Sequence, residues 1–338
     1  MQHEILERKP LLDKNGNIAE PGWARALVSQ YRRADIKAAR IRIKEWDYYL
    51  VSNDTHAVAL TIADNGYMGL ISASLIDFTK PWEQTTSVMT AFPMGRFKLP
   101  ESSDKGVSEF SNKRVSMRFE AGNGKRELSC RFKRFLGEET LDIAISLDQP
   151  EMDSMVIATP FEKSKAFYYN QKINCMRAGG KAVLGAREYA FDPDTSFATL
   201  DWGRGVWTYD NTWYWGNGNG IVDGKLLGFN IGYGFGNTSA ASENLVIYEG
   251  RAHKLSQVSF NIPKDSFVKP WTFTSDDNRF EMDFVPVIDR AAHTNALIIE
   301  SDQHQVFGRF SGRIKLDDGR TIELKDFMGF AEKVRNRY

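Results

Sequence analysis

The chain has 338 residues, with 44 Lys+Arg against 44 Asp+Glu, so its formal net charge is zero. That balance gives no global pull toward nucleic acid or an anionic membrane, and a composition 42% hydrophobic and 26% charged excludes disorder as the main state. Aromatic residues reach 12% and glycines number 27, a pairing that favours strands and turns. Only two cysteines are present, Cys130 and Cys175; they argue against a disulfide scaffold and fit free thiols in a reducing cytosol.

The opening residues, Met1 to Lys9, lack the apolar core of a signal peptide, so a cytoplasmic protein is expected. Pro21-Gly22 then precedes a predicted short helix over Trp23–Ile36, where Ala24, Leu27, Val28 and Tyr31 share one face. From Ile41 onward the period is two. Trp46, Tyr48 and Leu50 alternate with Glu45, Asp47 and Tyr49; Val115, Met117 and Phe119 alternate with Ser116, Arg118 and Glu120. Asp64-Asn65-Gly66, Gly122-Asn123-Gly124, Asp223-Gly224 and Asp317-Asp318-Gly319 punctuate these runs as hairpin turns. The same grammar fills the second half, which predicts an all-β fold of two related domains, sandwiches or barrels. Gly, Asp and Pro interrupt the pattern between Gly179 and Pro193, so the expected division is 1–185 and 186–338.

Two segments point to a site. Along Gly228–Gly236, Phe229, Ile231, Tyr233 and Phe235 share one face, while Gly228, Asn230, Gly232, Gly234 and Gly236 share the other. So many glycines on one face mean either a closely packed backbone or room for a ligand. Upstream, Trp207, Tyr209, Asn211, Trp213 and Trp215 share parity, a surface able to stack on a flat or polyene molecule or simply to form core. The charge-free stretch Leu226–Ser242 is too rich in glycine and asparagine to be a transmembrane helix. The glycine runs are not followed by a helix, so no dinucleotide fingerprint exists, and the five histidines show no metal-ligand spacing. No cofactor and no metal are expected. Candidate acids or bases are Asp201, Glu45, Glu243 and His253.

These motifs together resemble a bacterial family known only as domain of unknown function 2804. The resemblance is carried by Lys44–Tyr49, Asp201-Trp202-Gly203-Arg204-Gly205-Val206-Trp207, Gly228–Asn244, Pro270–Ser275, Arg279–Met282 and Phe307–Gly312. More remotely the chain is similar to the two-domain lipocalin-like group of carotenoid hydratases, tocopherol cyclases and fungal decalin-forming cyclases. That likeness implies two lipocalin-like β-barrel or curved-sheet domains around an apolar pocket, and a redox-free reaction in which a buried acid protonates an alkene. In the hydratase branch the acid is an Asp after Leu, ahead of an aromatic strand and an Asp-Gly turn. Leu200-Asp201, Trp213-Tyr214-Trp215 and Asp223-Gly224 keep that order, although Trp202-Gly203-Arg204 replaces the hydratase's Arg-Glu-Trp.

The leading expectation is therefore a cofactor-independent hydratase, isomerase or cyclase acting on an isoprenoid or polyketide type of molecule. A noncatalytic carrier or sensor of a hydrophobic ligand and a glycan-binding or glycan-processing module are the alternatives. The expected site is an apolar cavity between the Trp207–Trp215 and Gly228–Gly236 segments. Asp201 is its acid, and Asn230, Gly232, Glu243 and Asn244 are further contacts.

Overall fold

The structure, a computed structural model, describes residues 2–296 and 299–337. Antiparallel strands build two curled sheets. In the first, Trp82–Ala91, Met68–Asp77, His56–Asp64, Ile43–Ser52 and Phe197–Val206 lie side by side. Phe167–Leu184, Glu139–Asp148, Lys125–Leu136, Val115–Gly122 and Gly106–Ser111 continue it. The second runs Arg251–Lys254, Leu245–Tyr248, Lys225–Tyr233, Asp210–Val222, Thr321–Arg337, Ile299–Lys315, Phe280–Ala296, Trp271–Ser275 and Val258–Asn261. Arg187–Phe191 and Phe197–Val206 pair within the first sheet, so the chain crosses to the second at 207–209 rather than at 185/186.

Alternation explains each core. Val115, Met117 and Phe119 point inward with Leu128, Cys130 and Phe132, and their neighbours face solvent. Phe229, Trp271, Phe273, Phe284 and Phe310 fill the second sheet in the same way. Both cysteines are buried and free.

The helix expected over Trp23–Ile36 is not formed. Gly22–Ala24 pairs as a strand with Val156–Ala158, and a single 3-10 turn covers Arg33–Asp35. A helix this short has little stability of its own, and long-range partners outbid it. Arg25 pairs with Asp153 at 2.8 Å, and the Tyr31 hydroxyl donates to Glu45 at 2.7 Å. The N-terminal segment becomes a strap across both sheets: His3 N donates to Ala240 O, and Gln2 Oε1 accepts from Ser242 N.

The sheets meet along a seam where strands lose their exposed face. Every residue of Phe197–Val206 is buried, as is the run Phe167–Met176. One apolar seam cluster holds Trp23, Ile157, Tyr168, Trp207 and Phe235; another holds Tyr48, Leu50, Trp215, Phe307 and Phe330. A bulge between Ile173 and Met176 pushes Asn174-Cys175 toward the second sheet, with Cys175 at φ +57°. Asn219 Oδ1 captures the Cys175 amide at 2.8 Å. Opposite the bulge, a Cβ on Gly228 would stand 2.8 Å from Asn174 Cβ. Glycine there permits close approach of the sheets.

Candidate functional site

The strand Phe197–Val206 sends alternate side chains to two different buried environments. Leu200, Trp202 and Arg204 point into the first sheet's core, while Asp201, Gly203 and Gly205 face the seam, as period-two geometry requires. Inside, Arg204 pairs with Asp47 at 2.9 Å, donates to the carbonyls of Trp46, Gly203 and Pro100, and stacks over Trp202 at 4.2 Å. Glu45 is held there by Tyr31 and Arg33. Arg204 therefore does not share a space with Asp201.

On the seam face, Asp201 lies between Tyr48 and Lys172 in adjacent strands. Lys172 Nζ reaches Asp201 Oδ1 at 3.0 Å, and Asn170 Nδ2 donates to the same oxygen at 2.5 Å. The Lys172 ammonium also sits 4.2 Å from the centre of the Trp215 ring. Two more carboxyls belong to this cluster, supplied by the second sheet. Glu332, paired with Trp215 across strands, accepts from Trp213 Nε1 at 3.0 Å and from Gln305 Nε2 at 2.9 Å. Burial pushes its pKa up to about 7 despite those two donors. Glu243 follows the loop after Phe235. Its carboxyl stands against Gly232, and burial raises its pKa too, with Lys172 opposing. Asp201 is thus ion-paired, whereas burial makes Glu332 and Glu243 easier to protonate than ordinary glutamates.

Beside the acids is an aromatic box. Trp46 lies flat over Gly203, where a Cβ would come within 1.9 Å of its ring, and Trp207 covers Gly205. Trp207 meets Trp46, Trp213 and Phe235 at centroid distances of 5.3, 5.6 and 5.3 Å. Tyr168 stacks on Phe235 at 4.2 Å. Above the box opens a cleft of about 640 Å³, lined by Thr208, Thr212, Gly234 and Gly236, the residues flanking Trp207, Trp213 and Phe235.

The family model described as Domain of unknown function (DUF2804) matches residues 2–338. The chain belongs to the DUF2804 family. Among solved structures, this DUF2804 chain is similar to CghA with Sch210972, with a TM-score of 0.57, 9% identity and 97% of each chain covered. It is also similar to the AttH-like NE1406 of Nitrosomonas europaea, at TM-score 0.53 and 12% identity over 90% of this chain and 96% of that one. Kievitone hydratase from Nectria haematococca aligns at TM-score 0.48 and 10% identity, over 98% of both chains. At such identities the likeness to CghA and NE1406 is one of fold. No curated protein matches the chain in sequence.

Placed on this DUF2804 structure, the sequence-predicted residues divide. Asp201, Trp207, Trp213, Trp215, Asn230 and Glu243 gather at the seam; Asn230 accepts from Trp215 Nε1 at 2.7 Å and donates to Glu243 O at 2.9 Å. Asn211 lines the cleft, bonded to Thr208, and Tyr209 is half exposed outside the box. Asn244 fixes backbone, accepting from Gly232 N at 2.6 Å and donating to Ser256 O. The roomy glycine face is corrected. A Cβ on Gly232 would meet Tyr214 O at 2.6 Å, so the glycines admit neighbouring groups rather than a cavity, and the opening lies at the strand ends. Glu45 faces the first core, and His253 lies at the Asp317 turn.

Sequence reasoning missed Tyr48, Tyr168, Asn170, Lys172, Gln305 and Glu332. A usable signal was present. Tyr168, Asn170, Lys172 and Asn174 form a polar stripe on one parity, and Glu332 shares parity with Phe330 and Val334. Among the described residues no helix is long and apolar enough to cross a membrane, and no group of acids, histidines and cysteines is arranged to hold a metal.

Proposed function

We propose that this protein is a cofactor-independent enzyme that protonates an unsaturated, largely apolar small molecule of isoprenoid or polyketide type at the seam. Glu332 is the proton donor. The observation that carries the reading is a buried carboxyl hydrogen-bonded to an aromatic ring of the box, where burial pushes its pKa up to about 7. The substrate enters from the cleft and displaces Phe235. Glu332 O–H then delivers its proton to an alkene carbon, leaving a carboxylate and a carbocation. The faces of Trp46, Trp207 and Trp213 stabilise that cation. Addition of water with loss of a proton gives hydration, loss of a neighbouring proton gives isomerisation, and capture by a second alkene followed by loss of a proton from the resulting cation gives cyclisation; in each case the released proton restores Glu332. Asp201, held by Lys172 and Asn170, supplies fixed negative charge beside the cation rather than the proton itself.

The fold shared with CghA, which was crystallised with Sch210972, supports a small-molecule ligand. The test is deuterium incorporation. Unsaturated isoprenoids and polyketides are incubated with the protein in heavy water, with no cofactor, and analysed by mass spectrometry. Wild-type protein is expected to label at least one of them and Glu332→Gln none. Equal labelling by the variant removes Glu332 as donor, and tight binding without labelling identifies a carrier.

A further inference from the structure

Three buried polar atoms at the aromatic box have no hydrogen-bond partner: the Tyr168 hydroxyl, the Trp207 indole N–H and the Asn170 amide oxygen. Tyr168 is 1% exposed, Asn170 0% and Trp207 7%. They share one face. Tyr168 and Asn170 alternate with the inward-facing Tyr169, and Gly205, which pairs with Tyr168, has the Trp207 indole nitrogen 3.1 Å from the place a Cβ would take. Trp46 contacts both Tyr168 and Trp207. Buried donors and acceptors are rarely left unmatched, so three orphans around one ring ask for a common partner.

Their chemistry defines it. Trp207 can only donate. Asn170 has committed its N–H to Asp201, so its oxygen can only accept. Tyr168 can do either. We propose that this set recognises a neutral hydroxyl, alcoholic or phenolic, on a flat unsaturated skeleton. That group accepts from Trp207, donates to Asn170 and exchanges a bond with Tyr168. A carbonyl would leave Asn170 unmatched. A carboxylate would likewise leave Asn170 unmatched, because its oxygens only accept, and it would bring a second negative charge beside Asp201. The inference deepens the proposed function and rests on it only for the place of binding.

The experiment compares naphthalene, 2-naphthol and 2-naphthoate as probes, read by quenching of tryptophan fluorescence and by calorimetry. The expected order is 2-naphthol roughly tenfold tighter than naphthalene, one net hydrogen bond or slightly more, with 2-naphthoate unbound. In Tyr168→Phe and Asn170→Leu the naphthol advantage should fall below about threefold while naphthalene binding is unchanged. Equal binding of naphthol and naphthalene, or an advantage that survives both substitutions, overturns the hydroxyl site, as does failure of all three probes to bind. Glu332→Gln separates the two claims. It should keep the naphthol preference, so loss of the preference with persistent Glu332-dependent labelling sinks this inference alone. A normal preference with labelling indifferent to Glu332 sinks the proposed function alone.

Discussion

The two faces of the strand Phe197–Val206 bury charge in opposite ways. On the inner face Arg204 has Asp47 and Arg33 has Glu45, one acid to each of these two cations, and Arg204 makes three further bonds to carbonyls. On the seam face three carboxyls, Asp201, Glu243 and Glu332, share Lys172, with Lys254 acting on Glu243 and Arg290 on Glu332, and burial raises the pKa of both glutamates. Matched charge holds a fold; unmatched charge is costly to keep and is available for chemistry. Removing Arg204 should therefore have the largest structural effect. Arg204→Ala leaves Asp47 buried and uncompensated, and a loss of about 3–5 kcal/mol is expected in urea unfolding. A loss below about 1 kcal/mol would mean that the inner pair is no more structural than the seam.

The second largest effect is a pH dependence confined to the seam. Glu332 has its pKa raised from 4.5 to about 7 in the folded state. Between those values the folded protein holds a proton that the unfolded chain has released. Stability from this group is therefore full below about pH 4.5, falls as pH rises through the window, and is flat above pH 7. The span corresponds to roughly 3 kcal/mol. Glu243 acts in the same direction. Lys254 and Lys44, lowered to about 7 by burial, change stability only at higher pH and with the opposite slope. Urea unfolding at pH 5, 6 and 7 should show the wild type losing stability and Glu332→Gln losing much less. Parallel curves would place Glu332 among ordinary, ionised acids.

The same comparison explains what could be read from the sequence. The hairpins of Val115–Asp148 bury one face, so polar and apolar residues alternate and their strands are plain. Ile43–Ser52 was legible as a strand too, but burial on both faces, which Phe197–Val206 shares, hides which face meets which neighbour. Asp201 could be singled out, yet nothing local says that Lys172 pairs with it or that Glu332, over a hundred residues later, completes the cluster. The glycines of Asp201–Trp207 carry no side chain to reveal a pattern; in the structure they are seats for Trp46 and Trp207. The N-terminal helix failed for a related reason, since its apolar face at three-and-four spacing is equally served by a strap whose partners lie far along the chain.

The smallest predicted effect is the control that isolates burial. Lys125 and Asp148 are paired across neighbouring strands of the first sheet with Nζ–Oδ1 at 3.0 Å, the same separation as Lys172 and Asp201. Side-chain exposure is 70% and 65% in the first pair against 3% and 11% in the second, so distance is held constant while solvent changes. In water the attraction between Lys125 and Asp148 is screened and offset by the entropy of ordering two long side chains. Lys125→Met should alter stability by less than about 0.5 kcal/mol, and raising salt should remove even that. Lys172→Met leaves Asp201 in the seam with only the Asn170 amide, and a loss of about 2 kcal/mol is expected, smaller than for Arg204→Ala. Lys172 also opposes the raised pKa of Glu243 and Glu332, so Lys172→Met unfolding should become steeper in pH while Lys125→Met keeps the wild-type slope. Equal losses for the two lysines would show that separation, not burial, sets the strength of these pairs, and the contrast between the two faces would lose its basis.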